Sequence, residues 1–288
     1  MKKYLIAPLL FLFTYGNCLA QDYELLVPEG EQKGVLILFP GFPEGPDIIK
    51  RAFAIEEAAM KAGVAVALMT FNRKLWLDEA DKVKLASVVS RMLEEHDLNQ
   101  DNVYIGGFSS GGNVALLLSN YLVESESPVQ PQGVFVIDSP VDLLALYENS
   151  ERNIDHNFSP VSVQESQMVV QLLESSLGKP ENGINQYEQH SVYTGKTHNI
   201  DNLSSLEDVK IRLYTEPDTA WWKQNRMNEY EDMNAYSIKH LADDLTEQLG
   251  DQVEYIATEN RGYRANGDRH PHAWSIVEVD KLIAWMMQ

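Results

Sequence analysis

The stretch Asn102-Val103-Tyr104-Ile105-Gly106-Gly107-Phe108-Ser109-Ser110-Gly111 is an apolar run that ends in a serine set between glycines. Its last five residues fit G-x-S-x-G. So short a pattern is weak on its own, and its setting gives it weight. Asn102 to Gly106 reads as a strand and Asn113 to Val123 as an apolar helix, so the serine falls on a strand-to-helix turn. A serine on so tight a turn sits in strained backbone, and Gly107 and Gly111 remove side chains that would collide there. Ser109 has glycine two residues away on both sides, whereas Ser110 does not. The hydroxyl of Ser109 is thereby expected to project above the sheet, with a helix N-terminus behind it.

Working outward, the same alternation recurs on both sides of this turn. Val35 to Phe39 is a run suited to a strand buried on both faces, followed by the turn cluster Pro40-Gly41-Phe42-Pro43-Glu44-Gly45-Pro46. Ile48, Ala52, Ile55 and Ala59 then carry helical spacing, stopped at Gly63, before a second strand from Val64 to Met69. Glu79 to Asp97 reads as a helix, and Gly133 to Ile137 as a further strand. Later come a strand ending at Tyr214, a helix around Met233 to Leu249, a strand at Val253 to Ala257 and a final helix from about Ala273. Strands alternating with helices predict an α/β fold, a mostly parallel central sheet with helices on both faces. One domain over 21–288 is expected. The rhythm breaks over about 141–208, which is too long for a plain connection and reads as an inserted lid or cap.

A serine hydroxyl needs a base to take its proton. The loop before the final helix holds Arg269-His270-Pro271-His272-Ala273-Trp274, so the base is expected there; His272, which abuts the expected helix start, is preferred, with His270 as its alternative. An acid must hold the imidazole in the right tautomer, from the loop after another strand. Thr215-Glu216-Pro217-Asp218 follows the strand ending at Tyr214, which makes Asp218 the first choice and Glu216 its rival. Asp138, after the strand ending at Ile137, ranks third.

This arrangement resembles the α/β-hydrolase superfamily, from about Gly34 to Gln288. The order Ser109, Asp218, His272 is similar to the order of that family's triad. The resemblance implies an oxyanion hole of two backbone amides, that of Ser110 and one from the loop Phe39-Pro40-Gly41-Phe42-Pro43. Pro43 has no N–H, which leaves Gly41 or Phe42, and Phe42 is preferred. That loop departs from the HGGG type of lipases and esterases, which leaves the subfamily open.

The chemistry expected is therefore cleavage of a carboxylic ester through an acyl-enzyme, on a small-molecule or acylated substrate. A secreted serine peptidase or an esterase of polysaccharide decorations is the alternative within the fold. Trp221, Trp222 and Trp274, with Tyr147, Tyr187 and Tyr193 of the insertion, are candidates to line the substrate pocket. No cofactor is implied. Two readings from other classes stand beside it: a catalytically inactive hydrolase fold used for binding, and a metal hydrolase using the pair His270 and His272. The second is a weak metal signal without a third ligand, so no metal is expected.

Composition narrows the partners. With 23 Lys and Arg against 43 Asp and Glu, the formal charge is −20, which repels nucleic acid and anionic membranes. The N-terminus carries Lys2 and Lys3, the apolar run Leu5 to Phe13, and small residues ending at Ala20. That is the layout of a signal peptide over 1–20, too short to insert stably across a membrane, and it predicts a periplasmic or secreted protein. Cys18, the single cysteine, lies inside it; a lipoprotein anchored through Cys18 is disfavoured by Asn17, where a small residue is expected.

Overall fold

The structure is a computed structural model that describes residues 21–72 and 74–288. The expected signal segment 1–20, with Cys18, lies outside the described residues.

Seven strands form one sheet in the order β1-β3-β2-β4-β5-β6-β7. They are β1 (Tyr23–Leu26), β2 (Gly34–Phe39), β3 (Val64–Met69), β4 (Val103–Phe108), β5 (Pro131–Ile137), β6 (Lys210–Thr215) and β7 (Val253–Ala257). All neighbours run parallel except β1, which pairs antiparallel with β3. The inner strands read as continuous apolar runs because both sheet faces are covered. Alternate residues of each strand feed two separate cores. Val35, Ile37, Ile105, Val134 and Val136 pack on one face, and Leu36, Leu38, Tyr104, Phe135 and Ile137 on the other.

The first face is covered by α3 (Glu79–Glu95), α4 (Ser110–Glu124) and α9 (Asn234–Leu249), through residues such as Val89, Leu116 and Leu241. The second is covered by α1 (Pro46–Phe53), α2 (Glu56–Ala62) and α10 (Val279–Met286), through Ile49, Ala59 and Leu282. The single helix expected over Ile48 to Ala59 is two, because Ala54 adopts a left-handed φ of 47° between α1 and α2. The final helix starts at Val279 rather than Ala273; Trp274–Ile276 form a 3₁₀ turn before it.

Between β5 and β6 lie α5 (Leu143–His156), α6 (Pro160–Leu177) and α7 (Asn185–His190). Asp142 caps α5 by accepting from the Ala145 amide, and Ser159 caps α6 by accepting from the Ser162 amide. The three tyrosines expected at a pocket are instead core residues here. Tyr147, Tyr187 and Tyr193 are each about 1% exposed or less. The Tyr147 hydroxyl donates to Glu174 of α6 at 2.8 Å and the Tyr187 hydroxyl to the Gly178 carbonyl at 2.9 Å, which fastens these helices together. Burial raises the pKa of all three phenols. An aromatic ring with one polar tip suits this duty, because the ring fills the core while the hydroxyl finds an acceptor. α8 (Thr219–Arg226) follows β6.

The parallel register aligns three strand ends. Phe108 of β4 lies beside Ile137 of β5, which lies beside Tyr214 of β6. The next residue on each strand is therefore Ser109, Asp138 and Thr215, side by side at the carboxyl edge.

Candidate active site

Ser109 has φ 53° and ψ −129°, a strained conformation for a residue with a side chain. The turn closes only because its glycines have no Cβ. A Cβ on Gly107 would stand 2.2 Å from the backbone of Gly111, and one on Gly111 would stand 2.3 Å from the Phe39 carbonyl. Neither obstacle can move without shifting β2 or α4. Gly107→Ala should therefore destabilise the fold by about 3 kcal/mol, read as a fall in the urea midpoint. The elbow is also tied laterally, since the Ser109 amide donates to the Ile137 carbonyl at 2.9 Å.

Ser109 and Ser110 diverge at this turn. Ser109 lines a cavity of about 670 Å³ that it shares with His272, Phe42, Trp222 and Trp274. Ser110 is 1% exposed in the first turn of α4 and does not line it. Its amide is among the first N–H groups of that helix, which have no partner within it. From the other side Gly41 approaches closely: a Cβ there would lie 3.2 Å from Cβ of Ser109. Phe42 follows at 40% exposure.

His272 does not meet the acids expected for it. Its Nδ1 lies 2.6 Å from Oδ2 of Asp138. A carboxylate at that distance accepts the Nδ1 proton and leaves Nε2 with a lone pair. The imidazole rests against the Phe108 ring, centroid to centroid 4.4 Å. Asp138 is 4% exposed and held from several directions. Its Oδ1 accepts from the Thr215 hydroxyl at 2.7 Å, its amide donates to the Tyr214 carbonyl at 2.8 Å, and its carbonyl accepts from Asn234 Nδ2 at 2.9 Å. These contacts stabilise its left-handed φ of 45°.

Asp218 and Glu216 are placed elsewhere, which corrects the sequence-based choice of acid. Asp218 is the N-cap of α8, accepting from the Trp221 amide at 2.9 Å, and it pairs with Arg269 at 2.6 Å. Glu216, 2% exposed, accepts from the amides of Arg261 at 2.9 Å and Gly262 at 3.0 Å, and pairs with Arg269 at 2.5 Å. Both acids hold the loop that carries His272. The reason is position: Asp138 ends the strand next to β4, and Asp218 lies a strand farther off and beyond Pro217.

The alternative base, His270, is 8% exposed and its Nδ1 lies 3.0 Å from the His272 carbonyl oxygen. Trp221 packs on it at 4.6 Å between centroids, so this tryptophan backs His270 and does not line the cavity as expected. Burial, and then the positive charge of Arg264, push the pKa of His270 down to about 3. A lowered folded pKa means that only the unfolded chain takes up this proton between about pH 6.5 and 3. Stability is thus intact above pH 6.5 and is lost as pH falls, by at most about 1.4 kcal/mol per unit from this one group. Urea unfolding at pH 7, 5 and 4 should show a shallower acid loss in His270→Gln than in the wild type. Among the described residues no group of three or more His, Cys, Asp or Glu is arranged to hold a metal ion.

Solved structures resemble this architecture along most of the chain. The serine hydrolase FphF of Staphylococcus aureus matches with a TM-score of 0.53 at 13% identity, over 92% of this chain and 91% of that one. Carboxyl esterase 2 of the fungus Tuber melanosporum matches with a TM-score of 0.59 at 14% identity, over 91% and 79%. MPT51 of Mycobacterium tuberculosis matches with 0.52 at 15% identity, over 93% and 97%.

The chain has the α/β-hydrolase fold.

No family model and no curated protein matches the sequence. Ser109, Asp138 and His272 occur in the chain in the order serine, carboxylate, histidine, with Asp138 in the place expected for Asp218. Thr215 and Asn234, which position Asp138, carry no local signal that marks them. The signal for Asp138 itself is present, a carboxylate directly after an apolar strand.

Proposed function

We propose that the protein is a serine hydrolase that cleaves carboxylic esters, with Ser109 as nucleophile, His272 as base and Asp138 as the acid. The observation that carries this reading is the 2.6 Å contact of His272 Nδ1 with Asp138, in a cavity whose floor is the strained Ser109. Esterases and serine hydrolases among the structures of the same fold support it at a coarse level.

The Ser109 hydroxyl attacks the ester carbonyl while His272 Nε2 takes its proton. The imidazolium so formed is stabilised by the carboxylate of Asp138 at its Nδ1. The amides of Ser110 and Phe42 are the donors for the oxyanion, and the N-terminus of α4 favours the same charge. Collapse of the tetrahedral intermediate expels the alcohol, which receives the proton from His272, and leaves Ser109 acylated. Water, deprotonated by His272, then attacks the acyl carbon; the acid departs and the Ser109 oxygen, as leaving group, takes the proton back from His272. Helices α5 and α6 contribute Asn149, Asn153, Ser162 and Ser166 to the cavity wall, which suits the segment between β5 and β6 to a covering role.

The test is labelling with a fluorophosphonate. The wild type and Ser110→Ala should label and Ser109→Ala should not. A folded wild type that stays unlabelled overturns the proposal.

A further inference from the structure

The loop after β2 brings a second carboxylate to the nucleophile. It turns back on itself, the Glu44 amide donating to the Gly41 carbonyl at 2.7 Å. The Glu44 side chain comes back with it. A Cβ on Gly41 would stand 3.2 Å from Cβ of Ser109, 3.5 Å from Oε2 of Glu44 and 3.1 Å from the ring of Phe108. Carboxylate, nucleophile and aromatic ring therefore border a single point, and all three residues line the cavity.

The protein leaves this charge almost uncompensated. Glu44 is half-buried and accepts one long hydrogen bond, from the Trp274 indole N–H at 3.4 Å. A carboxylate has about four lone-pair sites, so most of its accepting capacity is unused. Arg51, Arg226 and Arg264 line the same cavity, yet among the described residues none of them forms an ion pair with Glu44. Arg226 is taken by Glu165 at 3.0 Å, and with Arg264 it stands close enough to His270 to lower the pKa of that imidazole.

A fixed negative charge at this place opposes the reaction proposed for Ser109, because the attack builds an oxyanion nearby. The conflict disappears when the substrate brings a cation of its own. An ammonium bonded to Glu44 at about 2.8 Å neutralises the carboxylate and stands close to the oxyanion as well. Phe108 and Trp274, 5.3 Å apart between ring centroids, add aromatic faces that attract the same cation. An alkyl group in that place would strip water from the carboxylate without replacing it, and a second anion would be repelled.

We infer that Glu44 makes the protein selective for esters that carry an ammonium group close to the scissile carbonyl. This rests on the serine-hydrolase reading of Ser109. The ammonium can belong to the acid or to the alcohol, and two isosteric pairs separate these sources. One is methyl alaninate against methyl isobutyrate; the other is acetylcholine against its carbon isostere, neohexyl acetate. Monomethyl methylmalonate puts a carboxylate where the alaninate has its ammonium.

Each rate is divided by that ester's own rate of hydrolysis by hydroxide, which removes the electronic effect of the substituent. So corrected, kcat/KM should be at least about tenfold higher for the cationic member of one pair, and lowest for the malonate. Glu44→Gln should abolish that preference. The ratio is internal to each preparation, so a loss of folded protein in the variant does not move it. Fluorophosphonate labelling of the same wild-type preparation separates the two claims. Labelled enzyme with no preference in either pair, with the malonate as its best substrate, or with a preference that survives Glu44→Gln, overturns the selectivity and leaves the nucleophile in place. An unlabelled enzyme overturns the reading on which the selectivity rests.

Discussion

Asp138→Asn is expected to lower kcat on a simple activated ester by about 10⁴-fold, and Asp218→Asn by less than about tenfold. The two substitutions are chemically identical, so geometry alone separates their effects. At Asp138 the carboxylate accepts the Nδ1 proton of His272 at 2.6 Å. An asparagine there can offer its NH₂ to Nδ1 and trap the imidazole in the other tautomer, with the proton on Nε2. Such a histidine cannot take a proton from Ser109, and no buried anion remains to stabilise the imidazolium. Asp218 makes its bonds to the Trp221 amide and to Arg269. Losing its charge weakens a helix cap and one ion pair, which is a cost in stability of about 1 kcal/mol. Steady-state kinetics with p-nitrophenyl acetate, with melting curves of both variants, check the contrast. Equal losses in the two variants would reject Asp138 as the acid.

Glu216→Ala should destabilise the fold by about 3–5 kcal/mol and reduce activity although Glu216 touches no reacting atom. Its carboxylate is 2% exposed and accepts from two backbone amides, from the Thr258 hydroxyl at 3.0 Å and from Arg269. Truncation leaves the Gly262 and Arg261 amides without acceptors inside the protein and removes one of the two carboxylates that pair with Arg269. The loop from Thr258 to His272 then loses the anchor that fixes where His272 stands. Tryptophan fluorescence in urea measures the stability, and the rate of fluorophosphonate labelling measures the site. A variant with an unshifted midpoint and a wild-type labelling rate would show that the anchor is dispensable.

Much of this molecule is written in local sequence. The strand, elbow and helix around Ser109 are legible because glycine spacing and apolar runs act within a few residues. The steric demand on Gly107 and Gly111 is likewise a contact between near neighbours. The loop that carries His270 and His272 is legible as the segment between the last strand and the last helix, which needs only the element order. β1 is not, since Tyr23 to Leu26 is a short edge strand whose existence depends on the backbone of β3 beside it. Nor are the duties of Tyr147, Tyr187 and Trp221, because an aromatic residue has the same local signature in a core as in a pocket.

The acid is where local reading fails. Several carboxylates follow strand ends in this chain, and nothing local ranks them. What ranks them is sheet order: β5 is hydrogen-bonded to β4, so Asp138 lands one strand spacing from Ser109, with Thr215 of β6 behind it. The inner strands, the tight turn at Ser109 and the order of the elements are thus properties of the amino-acid sequence, because they follow from forces between residues close in the chain. The acid that faces His272 and the residues that wall the cavity belong to the folded molecule alone, because those contacts join residues as far apart as Asp138 and His272.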